Sequence, residues 1–313
     1  MARFLGIDTS NYTTSVAVYN SDCNQIIHRK KLLPVKTGSI GLKQSDAVFS
    51  HIKQLPELFD SLMEEIGHVK LSAVGVSVRP RDIEGSYMPC FLTGDTVASC
   101  LTSVLGVKKY EFSHQAGHIM AALFSAKKPE LLGQEFLCFH VSGATTECLH
   151  VSPLNNGAFQ VRIVAQSLDL KAGQAIDRVG VMLGLPFPAG RYLDELSQKS
   201  SRSYKIRPTM KGADCCLSGI ENQCRSRLEQ GELPEDIARY CMESIRAAIE
   251  EMTKQALLLC GKLPVVYAGG VMSNSMIREY MTQKYDAYFA QPEFSSDNAA
   301  GIAILTAKMT LGG

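Results

Sequence analysis

Residues 3–20 read RFLGIDTSNYTTSVAVYN. Arg3 to Asp8 forms a β run, Thr9-Ser10-Asn11-Tyr12-Thr13 a polar turn, and SVAVYN a second β run, with a third from Gln25 to Arg29. The second half of the chain repeats this pattern without repeating the sequence. There EFLCFHV leads into the polar turn Ser142-Gly143-Ala144-Thr145-Thr146, then ECLHVS, then a third run from Phe159 to Ala165. Between the meanders, apolar spacing predicts helices over 46–66 and 93–105 and a buried strand from Ala73 to Val78. Two meanders, each followed by helices, predict an α/β chain of two related lobes whose hairpin turns point into one cleft. The exposed amides and hydroxyls of such turns suit phosphate oxygens, although either turn alone reads equally well as an ordinary hairpin.

A chain of 313 residues is long enough for two cores. The first lobe is expected over 1–105, with a C-terminal helix over 297–313 packed on it, and the second over 106–296. A helical insert at about 191–262 belongs to the second lobe: 191–234 reads as irregular and charged, and 235–260 as one long amphipathic helix started by Pro234. With 45% hydrophobic and 20% charged residues the composition is that of a globular protein. A net charge of +1 means that any contact with nucleic acid must come from a local patch. No stretch approaches the ~18 uninterrupted apolar residues of a membrane span, and the first residues lack the apolar core of a leader, so a cytoplasmic protein without a membrane partner is expected. The ten cysteines contain no C-x-x-C pair and read as buried reduced thiols, with Cys215-Cys216 the pair most open to oxidation.

Three short stretches can carry chemistry. In Ser113-His114-Gln115-Ala116-Gly117-His118, which opens a helix running to about Ala126, the i, i+4 spacing puts both imidazoles on one face, one turn apart. That is metal-chelating geometry, and also the geometry of a stacked surface pair. Gln115 stands where a zinc protease of the H-E-x-x-H type has its catalytic Glu, which argues against that class. Ala268-Gly269-Gly270-Val271-Met272-Ser273-Asn274 runs from a strand through a glycine pair into a helix N-terminus, a place where a phosphate can approach the backbone. In Ser295-Ser296-Asp297-Asn298, Asp297 stands at a helix start and reads as an N-cap.

Taken in order, these stretches resemble the TsaD family of transferases that make threonylcarbamoyladenosine in tRNA. GIDTSNYTTSVAV is similar to the family's opening G-I-E-T-S, SHQAGH to its H-x-E-G-H metal motif, and HVSGATTE to V-S-G-G-x-T-Q. AGQAIDRVGVMLGLPFPAG, LSGIEN, AGGVMSNSMIRE and SSDNAAGIA resemble its next four motifs. The resemblance implies the actin/Hsp70-like fold and adds roles to single residues. Asp297 falls on the family's metal-binding Asp, so that His114, His118 and Asp297 would make a two-His, one-carboxylate site suited to iron or zinc. His140 reads either as a further ligand or as a core histidine. Asp177 and Gly190 match ribose and adenine contacts, Asn274 a nucleotide contact, and Ser142, Gly143, Thr145, Gly173, Gly269 and Gly270 the surrounding nucleotide loops. Asp8 and Ser10 would face phosphate or a metal-bound water.

The implied reaction passes threonylcarbamoyl from its adenylate to the adenine of tRNA beside the anticodon. Its cofactors are a divalent metal and an adenine nucleotide, and its expected partners are tRNA, a paralogous actin-like protein and a small ATPase. The sequence departs from the family at several of these places. Tyr12 and Thr13 replace an acidic pair, Ala144 and Thr145 replace Gly and His or Asn, and Glu221 replaces a Lys. Arg79-Pro80-Arg81-Asp82 stands in place of G-P-G-L, so Arg79 and Arg81 read either as contacts for a substrate anion or as partners of Asp82 and Glu84. These departures leave two other readings open: a carbamoyl or acyl transferase acting on a small molecule, and a catalytically silent ATP-binding partner protein.

Overall fold

The computed structural model describes residues 2–10, 12–34, 42–154, 158–295 and 298–312. In chain order the elements are β1 (Arg3–Ser10), β2 (Thr13–Asn20), β3 (Gln25–Leu32), α1 (Gln44–Ile66), β4 (Ala73–Arg79), α2 (Phe91–Leu105), β5 (Lys108–Ser113), α3 (His114–Ser125), β6 (Phe136–Val141), β7 (Thr146–Pro153) and β8 (Phe159–Gln166). There follow α4 (Ala172–Met182), α5 (Gly190–Ser197), β9 (Thr209–Lys211), β10 (Asp214–Cys216), α6 (Ser218–Glu229), α7 (Pro234–Cys260), β11 (Val265–Ala268), α8 (Ser275–Lys284), β12 (Ala287–Phe289) and α9 (Ala300–Leu311).

The chain divides into two compact units, one of residues 1–129, 153–160 and 293–313, the other of 130–152 and 161–292. Each holds a five-stranded sheet, ordered β3-β2-β1-β4-β5 in the first and β8-β7-β6-β11-β12 in the second. In both, the first strand pairs antiparallel with the next strand of the meander and parallel with a later one: β1 with β2 and β4, β6 with β7 and β11. The duplication expected from residues 3–20 and 135–152 is therefore a duplication of strand order.

Burial on both faces explains the apolar runs of the central strands. Phe4, Leu5 and Ile7 of β1, and Phe136, Leu137 and Phe139 of β6, are all 0–1% exposed. Each such side chain contributes about 1.5–3 kcal/mol on burial. The second core is completed by α7, which buries Ile237, Cys241, Ile245 and Met252 along one stripe. Among the described residues no helix is long and apolar enough to cross a membrane, and all ten cysteines are free.

Four expectations differ from the structure. Residues 106–129 lie in the first unit, because β5 hydrogen-bonds in parallel to β4 and α3 packs on α9. The stretch 191–234 is ordered: it contains α5, the β9–β10 hairpin and α6. A 3₁₀ turn over Gly270–Ser273 delays α8 to Ser275. The last helix begins at Ala300, and Asp297 lies outside the described residues.

The crossing of α3 and α9 is close because both helices carry glycine there. A Cβ on Gly301 would overlap the carbonyl of Gly117, and one on Gly117 would stand 2.9 Å from Ile302 Cδ1. Gly117 is the glycine inside the HQAGH stretch, so this contact fixes where the two histidines sit on the first unit.

Candidate active site

In the first unit, the start of α3 is set by Ser113, whose Oγ accepts the Ala116 N–H at 3.1 Å and donates to Asp82 Oδ2 at 2.6 Å. Asp82 Oδ1 in turn accepts Nε and Nη2 of Arg79, at 2.9 and 2.7 Å. Of the two readings left open for Arg79, the structure realises the ion pair. The Arg81 N–H donates to Ser86 Oγ at 3.0 Å.

His114 begins α3 directly above the end of β1. Its Nδ1 lies 3.0 Å from Oδ1 of Asp8, a carboxylate with no exposed surface. Ser77 Oγ donates to the same oxygen, and Oδ2 has no hydrogen-bond partner. A carboxylate oxygen beside Nδ1 favours the His114 tautomer with its proton there, in which Nε2 carries the accepting lone pair. That lone pair faces His118 Nε2 at 2.9 Å, with the rings at 78°.

The 2.9 Å separation has two uses. Without a metal it is an N–H···N bond, which takes a proton on His118 Nε2. With one, two nitrogens at about 2.0–2.1 Å from a common ion stand about 2.9–3.4 Å apart for right-angle to tetrahedral arrangements. A histidine whose other nitrogen is held by a carboxylate is the usual support of a metal ligand. The unpartnered Asp8 Oδ2 is a buried negative end whose desolvation costs about 1–3 kcal/mol unless a cation or donor meets it. The donor chemistry therefore fits a metal. Among the described residues, no group of three or more His, Cys, Asp and Glu side chains stands together as a metal cage.

His51 of α1 belongs to the same unit and was missed in the sequence. Gln54 Nε2 donates to the Leu32 carbonyl at 3.0 Å, so its Oε1 must accept from Thr14 Oγ1, at 2.7 Å. Thr14 Oγ1 is then left to accept from His51 Nδ1, also at 2.7 Å. The chain of three bonds fixes the tautomer and leaves His51 Nε2, fully buried, as a lone pair with no partner. Burial pushes this imidazole down to about 4, against the opposing pull of the Asp8 charge and the Ser10 carbonyl. Burial and the same Asp8 charge push the Cys90 thiol up to about 11. His51 thus stays neutral, an acceptor beneath the β1–β2 turn. Ser50, His51 and Gln54 interrupt an otherwise apolar buried stripe of α1, which is the signal that could have revealed it.

In the second unit, Ser142 folds the β6–β7 turn on itself. Its Oγ accepts the N–H groups of Ala144 and Thr145 at 3.3 and 3.1 Å, and its N–H bonds the Thr145 carbonyl at 2.7 Å. Gly173 N–H reaches the Ser142 carbonyl at 3.1 Å, which brings the start of α4 against Gly143. Gly269, at φ +102°, lies so close to Val141 that a Cβ would overlap its backbone. Asp177 Oδ1 accepts the Ala189 N–H at 2.8 Å and so fixes the start of α5 at Gly190. Asn274 Oδ1 caps α8 through the Ile277 N–H at 2.9 Å, while its Nδ2, in a residue only 6% exposed, has no partner. The structure thus gathers Ser142, Gly143, Thr145, Gly173, Gly269 and Gly270 around the ends of β6 and β11. His140 is half-buried on β6, in register with Glu147 and Ala268. Glu221, where the family has Lys, pairs with Arg178 at 3.0 Å and Arg225 at 3.1 Å, which hold its carboxyl below the usual range. The trio carries one net positive charge.

Residues 25–304 match the sequence model of the family described as tRNA N6-adenosine threonylcarbamoyltransferase, TsaD. The chain belongs to the TsaD family. A family member from Methanopyrus kandleri, named tRNA N6-adenosine threonylcarbamoyltransferase, is 26% identical over 311 residues, which span 96% of this chain and 85% of the relative. Among solved structures, component A of the (R)-2-hydroxyglutaryl-CoA dehydratase of Acidaminococcus fermentans is similar in fold, with TM-score 0.57, 18% identity, and coverage of 99% of this chain and 100% of that one. A ROK hexokinase from Thermus thermophilus matches with TM-score 0.51, 14% identity, and coverage of 99% and 100%. At such identities these two speak to fold alone, and the fold of this TsaD-family chain is the duplicated actin/Hsp70-like one.

Proposed function

We propose that the chain is a metal-dependent transferase that passes the threonylcarbamoyl group of its adenylate to adenine of tRNA beside the anticodon. The observation that carries this reading is the line Asp8–His114–His118, in which a buried carboxylate meets Nδ1 of one imidazole and Nε2 of that imidazole lies 2.9 Å from Nε2 of the next. His114, His118 and Asp297 would hold iron or zinc, the metals suited to two histidines and one carboxylate. When bound, the metal would supply Lewis-acid stabilisation of developing charge.

The chain's own residues supply the rest. Asp8 favours the His114 tautomer with its proton on Nδ1. The second unit offers the adenylate the Gly143 N–H of the 142–145 turn, the glycines 173, 190, 269 and 270, Asp177, and the unpartnered Nδ2 of Asn274. In the transfer, the adenine amine attacks the carbamoyl carbon, a C–N bond forms, the C–O bond to phosphate breaks, and AMP leaves with the electron pair while the amine proton passes to solvent. No side chain is needed as nucleophile. A cytoplasmic setting, a paralogous actin-like partner and a small ATPase follow from the same reading. Arg79 lends no support to an anionic small-molecule acceptor, because Asp82 engages its guanidinium.

AMP release from the adenylate, followed with unmodified tRNA, with small-molecule amine acceptors and with no acceptor, tests the reading. Release dependent on tRNA, with label appearing in adenine, is expected. Release driven by a small acceptor alone, or tight nucleotide binding with no release under any condition, would replace it by one of the two alternatives.

A further inference from the structure

Residues 199–211, KSSRSYKIRPTMK, contain five basic residues and no acidic one, in a chain whose net charge is only +1. This strap joins α5 to β9 within the second unit. From Ser203 onward it alternates. Tyr204, Ile206 and Met210 lie half-buried against the core, and Lys205, Arg207 and Lys211 face solvent.

The neighbouring carboxylates are all engaged elsewhere. Asp236 takes Arg202 at 3.1 Å and Ser200 at 2.5 Å, and Glu232 takes Arg227 at 2.8 Å. Glu243 takes Arg239 at 2.6 Å and the Tyr204 N–H at 3.0 Å. Asp214, opposite Lys211 in the hairpin, turns to the Gln166 N–H at 2.8 Å. Lys205, Arg207 and Lys211 have no ion pair among the described residues.

The alternation of half-buried and exposed residues is that of extended chain, which advances about 3.3 Å per residue and would space these charges at about 6.6 Å and its multiple. Such a row cannot converge on a single phosphate, and it suits a polyanion with regularly repeated charge. Tyr204, the aromatic ring in the strap, is packed edge-on to Tyr240 at 5.2 Å and lies under the Arg227 guanidinium at 5.1 Å, so it is not presented for base stacking. We propose that the strap 199–211 docks the RNA sugar-phosphate backbone through Lys205, Arg207 and Lys211, without reading base sequence. The inference rests on the tRNA reading of the preceding section and names the surface that would serve it.

Anisotropy titrations of a fluorescein-labelled unmodified tRNA transcript across a salt series, with full-length protein, test it. The variant carries Lys205→Ala, Arg207→Ala and Lys211→Ala together, and thermal melting checks that it folds. The expected result is at least a tenfold loss of affinity at low salt and a slope of log K against log salt shallower by about 2–3, since each phosphate contact contributes roughly 0.9. Unchanged affinity and slope in the variant would overturn the strap and leave the tRNA reading standing. A wild-type protein that binds no tRNA at any salt would overturn both. Tighter binding to phosphatidylserine vesicles than to tRNA, lost in the variant, would overturn RNA as the occupant.

Discussion

Asp8 Oδ1 lies 3.0 Å from Nδ1 of His114, and this contact orients the imidazole toward His118. Asp8→Asn keeps the shape and removes the anionic acceptor. Metal affinity is expected to fall about 10–100-fold, the range typical of carboxylates that support a ligating histidine. Competition with a chelator measures it, and unchanged affinity would remove Asp8 from the support of the metal.

His51 makes stability depend on pH in a defined window. The native ring stays neutral down to about 4, whereas in the unfolded chain it protonates near its ordinary 6.5. As pH falls between these values the unfolded state takes up the proton first, so stability that is complete above about 6.5 is lost toward about 4 and levels off below. Urea midpoints measured across that range should decline in the wild type. His51→Gln should be less stable at neutral pH by about 1–2 kcal/mol, through the broken bond to Thr14, and its slope in the window should be flatter. Parallel curves for the two proteins would contradict the assignment.

Gly301 meets the Gly117 carbonyl across the α3–α9 crossing. Gly301→Val should destabilise the protein by about 1–3 kcal/mol or more, and should weaken metal binding by displacing α3. Chemical denaturation with the metal removed separates the two effects. Wild-type stability would show that the crossing has room to give.

Asp169 ties the start of α6 to the loop before α4. Its oxygens accept the N–H groups of Leu170 at 2.6 Å and Leu217 at 2.7 Å, with Ser218 N at 3.2 Å and Ser218 Oγ at 2.6 Å. Partial burial pushes its carboxyl up, and these donors, Ser218 foremost, outweigh burial and hold it below the usual range. Its contribution is therefore present above the unfolded value near 3.9 and lost as pH falls through the lower folded one. Asp169→Ala should cost about 2–3 kcal/mol at neutral pH, with a shallower loss of stability in acid, both read from denaturant midpoints.

The meander that opens each sheet was legible in residues 3–20 and 135–152, because a buried central strand leaves an apolar run and its tight turn leaves polar residues. α6 was not legible. SGIENQCRSRLE buries only Ile220 and Cys224, too little to mark a helical face. The boundary after residue 105 was misread because β5 and α3 join the first unit through partners distant in sequence, β4 and α9. The His114/His118 spacing announced the pair. The buried carboxylate that orients it could not be paired with it from sequence, since Asp8 and His114 are 106 residues apart. His51 escaped because the helix was read for its apolar positions, and its role arises from hydrogen bonds that order Thr14, Gln54 and Leu32.

The most direct measurement is single-turnover transfer of labelled threonylcarbamoyl from its adenylate to tRNA, with metal stripped from the protein and then returned. Transfer should vanish on stripping, return in proportion to the iron or zinc bound, and stay absent in His114→Ala however much metal is added. Transfer that survives stripping, or an inert protein under conditions where another TsaD-family member modifies the same tRNA, would contradict a metal-dependent transferase.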